Sequence, residues 1–381
     1  MKIAFVNLAL GDDPSGVAKA VKGQARAARL EGLPIDFLVV NPAREEVDGD
    51  LRYVRYPTSR LGARASNLLK ARALARTPAL SGYDVLLLRY PTALDLDPLA
   101  LLRTTRARVI MVYHTKEVPE LLSRKKTAGV LARAAFEWLG GRIIRDHVHG
   151  VVGVTDEIRR YEMDRGSRDV PSRTIANGVD VEAVAQTGFV PFDGKELKLL
   201  FVASSQAPWH GVDRLVSALR KYDGARRIVL ELVGGGSGAP KGTEEHHGNV
   251  TIRHHGHLGG DALDHVFRGA TIAVSSLAMY RAGLAQACVL KTREYVARGI
   301  PFVYAYDDVD LAATLPFARR MPNDATELPV DALFAFAEEV SRRPNLADEM
   351  RAYASANLDW RVKMRLFHDF ARDVGGVSFR R

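Results

Sequence analysis

The 381-residue sequence predicts two doubly wound α/β domains. Short apolar runs typical of buried strands alternate with stretches of helical spacing, and this alternation stops in a polar stretch near residues 181–196. The same alternation then starts again and continues almost to the end of the chain. A chain of this length exceeds one ordinary hydrophobic core, so two domains are the economical description.

The first half opens with "KIAFVN", a buried-strand run, followed by "SGVAKAVKGQARAARLEG", whose spacing predicts a helix that ends at Gly32. "PIDFLVVN" predicts the second strand, and three later runs predict more strands with helices between them: "DVLLLRY" (84–90), "RVIMVYH" (108–114) and "GVVGVT" (150–155). Because these runs are apolar without strict alternation, they indicate a parallel sheet covered on both faces.

The second half begins after "AQTGFVPFDGKEL", which is polar and carries Gly and Pro. It predicts a helix at about 211–221 and five strands: "LKLLFVAS", "RIVLELVG", "NVTIRHHG", "TIAVSS" and "PFVYAY". The predicted domains are therefore 1–185 and 196–357. Open sheets of this kind bind ligands at the carboxyl ends of their strands, so we expect a shared cleft there.

The cellular location is predicted from three features. No apolar run approaches the roughly 18 to 20 residues that span a bilayer. The N-terminal "MKIAFVNLAL" lacks the basic start and the cleavage site of a signal peptide. Cys288 is the one cysteine, which excludes an internal disulfide and a cysteine-rich zinc site. We expect a cytoplasmic protein.

The formal net charge of +9 is concentrated in residues 51–150, where 18 Lys and Arg stand against 7 Asp and Glu. Such a basic lobe attracts anionic membranes, nucleic acid or phosphorylated ligands, or it serves solubility alone, and charge by itself does not separate these.

Several stretches resemble, in order, landmarks of the family 4 retaining glycosyltransferases, which have the GT-B fold. In the first half they are "DDPSGVAKAVKGQARAARLEG", "YHTKEVPE", "GVVGVTDEI" and "TIANGVDVE"; in the second they are "LLFVASSQAPWHGVDRLVSAL", "LELVGGGS", "VTIRHHGHL" and "LKTREYVARGIPFVYA". Each stretch alone is weak or moderate, and the ordered series is specific. The resemblance covers about residues 1–373.

The resemblance implies a metal-independent enzyme with no cofactor that moves a sugar from a nucleotide diphosphate, UDP or GDP, to an acceptor hydroxyl with retention of configuration. The donor would bind the C-terminal domain and the acceptor the N-terminal domain. In such enzymes a closing helix returns to the first domain, and "LDWRVKMRLFHDFARDV" within about 358–381 resembles it.

Two carboxylates eight positions apart grip the donor in that family. Glu294, just before "YVARG", matches the second, whose role is to accept hydrogen bonds from the ribose. Gln286 stands where the first would be. An amide still binds a sugar hydroxyl, but it supplies no negative charge to a developing oxocarbenium ion. A surface role for Glu294 and ordinary packing or an impaired site for Gln286 stay open.

The leaving diphosphate gains negative charge, which cations and helix N-termini must stabilise when no metal does. The family's usual Arg and Lys are replaced here by Ser205, or Ser204, and by His210 in "ASSQAPWHG". Arg281 and Lys291 flank the expected phosphate position and are the compensating cations that the resemblance suggests. The alternative for each is a solvent-exposed surface charge.

Gly16 lies at the mouth of the first helix, where the family approaches a phosphate or acceptor, and His114 matches its histidine beside the reacting sugar. Gly234 and Gly235 match the turn near the nucleotide, and the backbone at His257 and Leu258 matches the base-binding turn. A simple turn at Gly16 and a core role for His114 are the alternatives. Zinc is not expected at His246, His247, His254 and His255, because adjacent strand residues point to opposite faces.

Two basic stretches, "SRLGARASNLLKARALAR" (59–76) and "SRKKTAGVLARAAFEWLGGRIIR" (123–145), suit amphipathic helices on an anionic membrane, or equally core-facing helices with a basic solvent side. Nucleic acid is not expected, since aromatic residues are not interleaved with the charges. Membrane contact would suit a lipid-linked acceptor and a peripheral position on the inner face of the cell membrane.

The sequence therefore predicts a glycosyltransferase of bacterial surface polysaccharide or glycolipid synthesis. A non-catalytic nucleotide-sugar-binding protein and a GT-B nucleotide-sugar epimerase remain the alternatives, because Gln286 and the missing Arg and Lys depart from the family pattern.

Overall fold

The computed structural model describes residues 1–8, 16–41, 45–55, 80–92, 97–123, 127–205, 207–235 and 240–376. The predicted basic stretch at 59–76 lies outside these ranges. The chain divides into two compact units. Unit 1 comprises Met1–Ala176 with Trp360–Arg381, and unit 2 comprises Asn177–Asp359.

Unit 1 is built on an eight-stranded sheet in the order β3-β4-β2-β1-β5-β6-β7-β8, parallel except for the pair β3 and β4. Its strands are β1 (Ile3–Asn7), β2 (Ile35–Asn41), β3 (Val47–Asp48), β4 (Leu51–Arg55), β5 (Val85–Arg89), β6 (Arg108–Tyr113), β7 (Gly150–Gly153) and β8 (Ser172–Thr174). Five of these match the predicted runs, whereas the short, partly exposed β3, β4 and β8 were missed because they carry too few apolar residues to stand out.

The helices of unit 1 are α1 (Gly16–Leu30), α2 (Asp97–Thr104), α3 (Glu117–Leu122), α4 (Ala128–Arg145), α5 (Asp156–Arg165) and the C-terminal helix (Trp360–Gly376). The predicted end of α1 is confirmed, since Gly32 follows with φ of 62°. Thr155 caps α5 by accepting a hydrogen bond from the Ile158 N–H at 3.1 Å.

The C-terminal helix packs on the core of unit 1. Phe5 of β1 stacks on Phe37 of β2 with ring centroids 5.5 Å apart, and Phe367 of the helix meets the Phe5 ring edge-on at 5.5 Å. The resemblance-based prediction that this helix returns to the first domain therefore agrees with the contacts of Phe367.

Unit 2 contains a seven-stranded sheet in the order β11-β12-β10-β9-β13-β14-β15, parallel except for β11. The strands are β9 (Glu196–Ser205), β10 (Arg227–Gly235), β11 (Thr243–His247), β12 (Val250–Gly256), β13 (Ile272–Val274), β14 (Phe302–Tyr304) and β15 (Ala318–Arg320). All five predicted strands are present; β11 and β15 are additional edge strands.

The helices of unit 2 are α6 (Val212–Arg220), α7 (Gly260–Arg268), α8 (Leu290–Arg298), α9 (Val330–Ser341) and α10 (Leu346–Tyr353), and a π-helical turn follows at Ala354–Leu358. Residues 177–185 join this unit: Asn177 donates through its side-chain amide to the Cys288 carbonyl at 2.7 Å, and the Val179 N–H donates to the Leu358 carbonyl at 2.8 Å. No helix in the described ranges combines the length and the apolar character that crossing a bilayer demands.

Candidate active site

The carboxyl ends of β9, β10 and β12 lie side by side at one edge of the unit 2 sheet. Ser205, the last residue of β9, is paired with Gly235, the last residue of β10. His257 and Leu258 follow β12 directly; His257 is exposed and Leu258 is half-buried. The structure therefore brings together four of the predicted donor contacts at the edge where open α/β sheets bind ligands.

Glycine is required at position 234 by the backbone itself. Gly234 has φ of 118°, and a Cβ atom there would lie 1.5 Å from the Ala203 carbonyl oxygen. At Gly235 an added Cβ would lie 2.7 Å from Nε2 of His257, the movable end of a side chain. The pair thus keeps β9 and β10 close and leaves the backbone at this edge uncovered.

The "PWHG" stretch forms a 3-10 turn, Pro208–His210, locked to the segment that follows β13. The Leu277 and Ala278 N–H groups donate to the His210 and Trp209 carbonyls at 3.0 and 3.2 Å. Gly211 has φ of 68°, and a side chain there would press on the Leu277 Cβ atom at 3.0 Å. Because both sides of the contact are hydrogen-bonded backbone, the position of His210 is fixed before any ligand arrives.

The His210 imidazole is neutral at physiological pH. Burial, and then the neighbouring charge of Lys291, lower its pKa to about 2. Its Nδ1 atom lies 2.9 Å from the hydroxyl of the fully buried Ser276. If Ser276 donates that hydrogen bond, Nε2 carries the ring proton and is a donor to an anion.

Lys291 lies in the first turn of α8, and its side-chain amino group has no polar partner among the described residues. Its Nζ atom is buried and has no hydrogen-bond partner in the described part of the chain, and it stands 3.9 Å from the centroid of the Phe201 ring. Burial lowers the pKa of this ammonium well below its ordinary value. A buried ammonium left in this state is costly, and an arriving anion would satisfy it.

Arg281 is already paired. Its guanidinium donates to both carboxylate oxygens of Asp213 at 2.8 and 2.9 Å and to the Pro208 carbonyl at 3.0 Å. These hydrogen bonds raise its pKa and tie it to the 3-10 turn. A phosphate would have to compete with Asp213 for Arg281, so that prediction stays a prediction.

Glu294 lies three residues after Lys291, and this spacing puts the two side chains on one face of α8. Oε1 of Glu294 accepts a hydrogen bond from Arg298 at 2.9 Å, and the side chain is 24% exposed. The carboxylate is therefore oriented by an ion pair within its own helix and still reaches solvent.

Arg293 has a different role from the other charged residues of α8. It is fully buried, donates to Asp308 and Asp310, and donates through Nε to the Asn177 carbonyl at 3.2 Å. Arg293 is therefore a buried structural charge and not a surface one. Helix α8 ends at Gly299, which adopts a left-handed conformation with φ of 76°.

Gln286 is half-buried and forms a single parallel bridge with Asp307. The Ala287 N–H donates to the Asp307 carbonyl at 3.0 Å, and the Asp307 N–H donates to the Ala285 carbonyl at 2.8 Å. The backbone at Gln286 is therefore held extended close to the start of α8.

Of the two predicted site residues of unit 1, His114 lies at a strand end of its sheet and Gly16 at the start of a helix. His114 follows β6; its Nδ1 atom is buried without a hydrogen-bond partner among the described residues, and burial and then the charge of Arg89 lower its pKa well below the ordinary value. Gly16 is the exposed first residue of α1.

Three polar residues at this edge were missed in the sequence. Asn7 ends β1 and is 1% exposed, with neither side-chain amide atom hydrogen-bonded in the described part of the chain. Arg89 ends β5, and burial lowers its pKa to about 10. Glu117 begins α3, and burial, followed by Glu120, raises its pKa to about 9. Asn7 and Arg89 are the last residues of their strands, the signal that could have found them.

Comparisons with known proteins agree with the sequence resemblance. Residues 14–183 match the family model described as Glycosyltransferase Family 4. A sucrose-phosphate synthase from Thermosynechococcus elongatus has a similar structure, with a TM-score of 0.69 at 15% identity over 99% of this chain and 100% of that one. Trehalose-6-phosphate synthase OtsA gives 0.66 at 14% identity over 100% of both chains.

The chain has the GT-B fold of these glycosyltransferases. A third similar structure, Anabaena Alr3699/HepE in complex with UDP-glucose, has a TM-score of 0.62 at 14% identity and covers 99% of this chain and 100% of that one. At such identities the likeness establishes the fold alone. No curated protein sequence matches the chain.

The histidines of β11 and β12 are paired with carboxylates on opposite sides of the hairpin. His254 Nε2 lies 2.9 Å from Glu245, and His255 Nε2 lies 2.5 Å from Glu231. Within the described ranges, no three His, Cys, Asp or Glu side chains are grouped as a metal site would require.

Proposed function

We propose that the protein is a retaining glycosyltransferase that moves a sugar from a UDP-sugar or GDP-sugar to a hydroxyl of a glycan or lipid-linked acceptor. The family match and the GT-B fold support the class of reaction. The UDP-glucose complex of HepE and the UDP-2-fluoro glucose complex of the E. coli trehalose-6-phosphate enzyme support the class of donor.

One observation carries the proposal: the Lys291 amino group, which has no hydrogen-bond partner among the described residues, and the neutral His210 ring border the same Phe201 side chain. A buried cation without a carboxylate is a poor structural element, but it fits a site that receives an anion. Since burial keeps the dielectric low, one ammonium there interacts strongly with a diphosphate.

We assign the remaining donor contacts to residues near the same carboxyl edge of the unit 2 sheet. Glu294 accepts hydrogen bonds from the ribose hydroxyls, and the backbone around Gly235, His257 and Leu258 contacts the base. Gly234 holds that backbone in place, Ser205 contacts the diphosphate, and Gln286 binds a hydroxyl of the transferred sugar.

In the proposed reaction the bond between the anomeric carbon and the diphosphate oxygen breaks, and the acceptor oxygen bonds to that carbon on the same face. The acceptor proton passes to the departing phosphate, so no carboxylate base is needed. Lys291 and the Nε2–H of His210 stabilise the charge that the leaving group gains, and this role makes a metal unnecessary.

We assign the acceptor to unit 1. His114 orients the reacting groups there, and Asn7 and Arg89 offer unsatisfied hydrogen-bonding and cationic groups at the same strand ends. Gly16 keeps the start of α1 open to the acceptor. A lipid-linked or glycan acceptor, a cytoplasmic location at the inner face of the membrane and a role in surface polysaccharide or glycolipid synthesis complete the proposal.

The test is turnover. The purified protein is incubated with sugar conjugates of UDP and GDP and with alkyl glycosides as acceptors; nucleoside diphosphate release is followed, and the anomeric configuration of the product is read by NMR. Retained configuration in a new glycoside supports the proposal. Isomerised donor without acceptor would indicate an epimerase, and tight donor binding with no turnover on any acceptor would indicate a non-catalytic binding protein.

A further inference from the structure

Helix α4 turns large apolar side chains to the solvent. Leu131, Phe136, Trp138, Leu139 and Ile143 are 50, 44, 60, 55 and 41% exposed. Elsewhere in the described ranges large exposed apolar residues are scattered singly, as at Leu30 and Val47, whereas here five belong to one helix. An apolar patch of this kind marks an interaction surface.

The other face of α4 is the buried one. It carries Ala134, Glu137, Gly141, Ile144 and Arg145, and Glu137 pairs with Arg165 of α5 at 3.0 Å. A Cβ atom added to Gly141 would lie 1.5 Å from the Arg165 guanidinium, so this contact is tight. The helix is therefore already docked on unit 1, and its apolar residues are not an unused part of the core.

The exposed residues form a continuous strip. Leu131, Ala135, Leu139 and Ile143 are spaced four apart and lie along one side of the helix, and Trp138 borders them. We call these residues, with Phe136, the outer face of α4. A strip of this length lies flat against its target, which suits a planar interface better than a pocket.

The exposed charges of α4 itself have one sign. Arg133 and Arg142 are exposed on α4, whereas Glu137, the one acidic residue of the helix, is buried. Arg124, Lys125 and Lys126 directly precede the helix in the sequence. Large apolar side chains, an aromatic ring and flanking arginines together complement a lipid surface with anionic headgroups.

We propose that the outer face of α4 binds this protein to an anionic membrane, with Trp138 and Leu139 in the headgroup boundary and Arg133 and Arg142 on lipid phosphates. The purpose of membrane binding rests on the proposed function, because a docked unit 1 would hold the acceptor edge near a lipid-linked acceptor. The test of membrane binding is independent of that function. A second copy of the chain is the competing occupant, and the cationic border disfavours it because two such faces would repel each other.

The experiment is co-sedimentation of the full-length protein with sucrose-loaded vesicles of phosphatidylcholine, with and without phosphatidylglycerol. The wild type is compared with a Trp138→Gln, Leu139→Gln double variant and with an Arg133→Gln, Arg142→Gln double variant. Leu30→Gln, Val47→Gln is the matched control, since it removes equally exposed apolar groups of unit 1. Circular dichroism and UDP binding are recorded on each preparation.

The wild type and the control should bind the anionic vesicles, and each outer-face variant should bind at least about tenfold more weakly, a loss of about 1.4 kcal/mol. Binding should also weaken as salt rises. The proposal is overturned if the folded wild type ignores anionic vesicles, if the outer-face variants bind as well as it does, or if sedimentation velocity finds a lipid-independent dimer that these variants dissociate. Loss of vesicle binding with UDP binding intact would leave the donor-site assignment standing.

Discussion

Replacing Lys291 by Met distinguishes a role of this residue in binding the donor from a role in stabilising the fold. Methionine keeps an unbranched apolar stem against Phe201 and removes the charge. If Lys291 serves the fold, the variant loses stability. If it is kept for a phosphate, the free protein keeps or gains stability and loses its ligand.

The expected magnitudes follow from the surroundings of Nζ. A charge-assisted hydrogen bond contributes about 1.5–3 kcal/mol, so the variant should bind the nucleoside diphosphate roughly 10- to 150-fold more weakly. In the free protein, the variant loses a cation–π contact of about 0.5–2 kcal/mol. It also loses the burial penalty of an unpaired ammonium, about 1.4 kcal/mol for each pH unit by which the pKa is lowered. We expect the free energy of unfolding to stay equal or to rise by about 1–2 kcal/mol, the net of these two effects.

The pH dependence has a definite sign. The pKa of Lys291 is lower in the folded than in the unfolded chain, so between the two values the unfolded chain binds more protons and stability rises with pH. The stability advantage of Lys291→Met should therefore be largest at low pH and disappear as pH rises toward the unfolded pKa. For His210 the same reasoning gives stability that rises from about pH 2 toward the unfolded value.

The assay is calorimetric titration with UDP and GDP, together with urea unfolding at several pH values. Lys221→Met is the control, because that lysine belongs to the same unit and is 66% exposed, paired with Glu327. Unchanged diphosphate affinity in Lys291→Met would refute the reasoning. A weaker affinity that comes with a clear loss of stability would instead make Lys291 a structural residue.

Three further outcomes are expected. Glu294→Ala should weaken UDP-sugar binding by about 10- to 100-fold, measured by calorimetry, whereas Glu338→Ala, which removes an exposed Glu–Arg pair of α9, should not; equal effects would remove Glu294 from the site. Gly234→Ala should cost about 2–5 kcal/mol in urea unfolding, from strain and overlap, against about 1–2 for Gly242→Ala, whose surroundings are open, and similar costs would contradict the Ala203 contact. Arg293→Met should destabilise unit 2 by about 3–5 kcal/mol because it leaves buried carboxylates unpaired, and an unfolding midpoint like the wild type's would show that this pair is dispensable.

The fold was predictable from the sequence because buried parallel strands are recognisable as apolar runs. Phe5 and Leu230, for example, lie in runs that are buried almost throughout. The edge strands β3, β11 and β15 were not predictable in the same way, since they are short and their residues are mostly polar.

The side-chain pairings and charge states of the candidate site residues could not be predicted from the sequence. The spacing of Lys291 and Glu294 on one helix face can be read from the sequence. That Arg281 is held by Asp213 and Arg293 by Asp308 cannot, because these pairs join residues 68 and 15 positions apart through tertiary contacts. The charge states of His210 and Lys291 depend on the burial of single atoms, and the sequence does not reveal which atoms are buried.

The sequence also left two interpretations of the 123–145 stretch equal: an amphipathic helix on a membrane and a core-facing helix with a basic solvent side. A core-facing helix with a basic solvent side would bury its Phe and Trp. In α4 both Phe136 and Trp138 are exposed, while Glu137 and Arg145 are buried. Amphipathicity alone did not predict which side chains α4 buries, because two of them, Glu137 and Arg145, are charged and are hydrogen-bonded to α5.

The most direct test of the central claim is a thermal-shift panel with UDP, GDP, ADP and their sugar conjugates, run with EDTA on the wild type and on Lys291→Met. At 100 times its dissociation constant a ligand adds about 2.7 kcal/mol of apparent stability, which is easily seen. The account predicts that one nucleoside diphosphate and its sugar conjugate stabilise the wild type in EDTA and that the variant does not respond at the same concentration. If no nucleotide shifts the melting temperature of the wild type, or if the variant shows an equal shift, a metal-independent donor site built on Lys291 is contradicted.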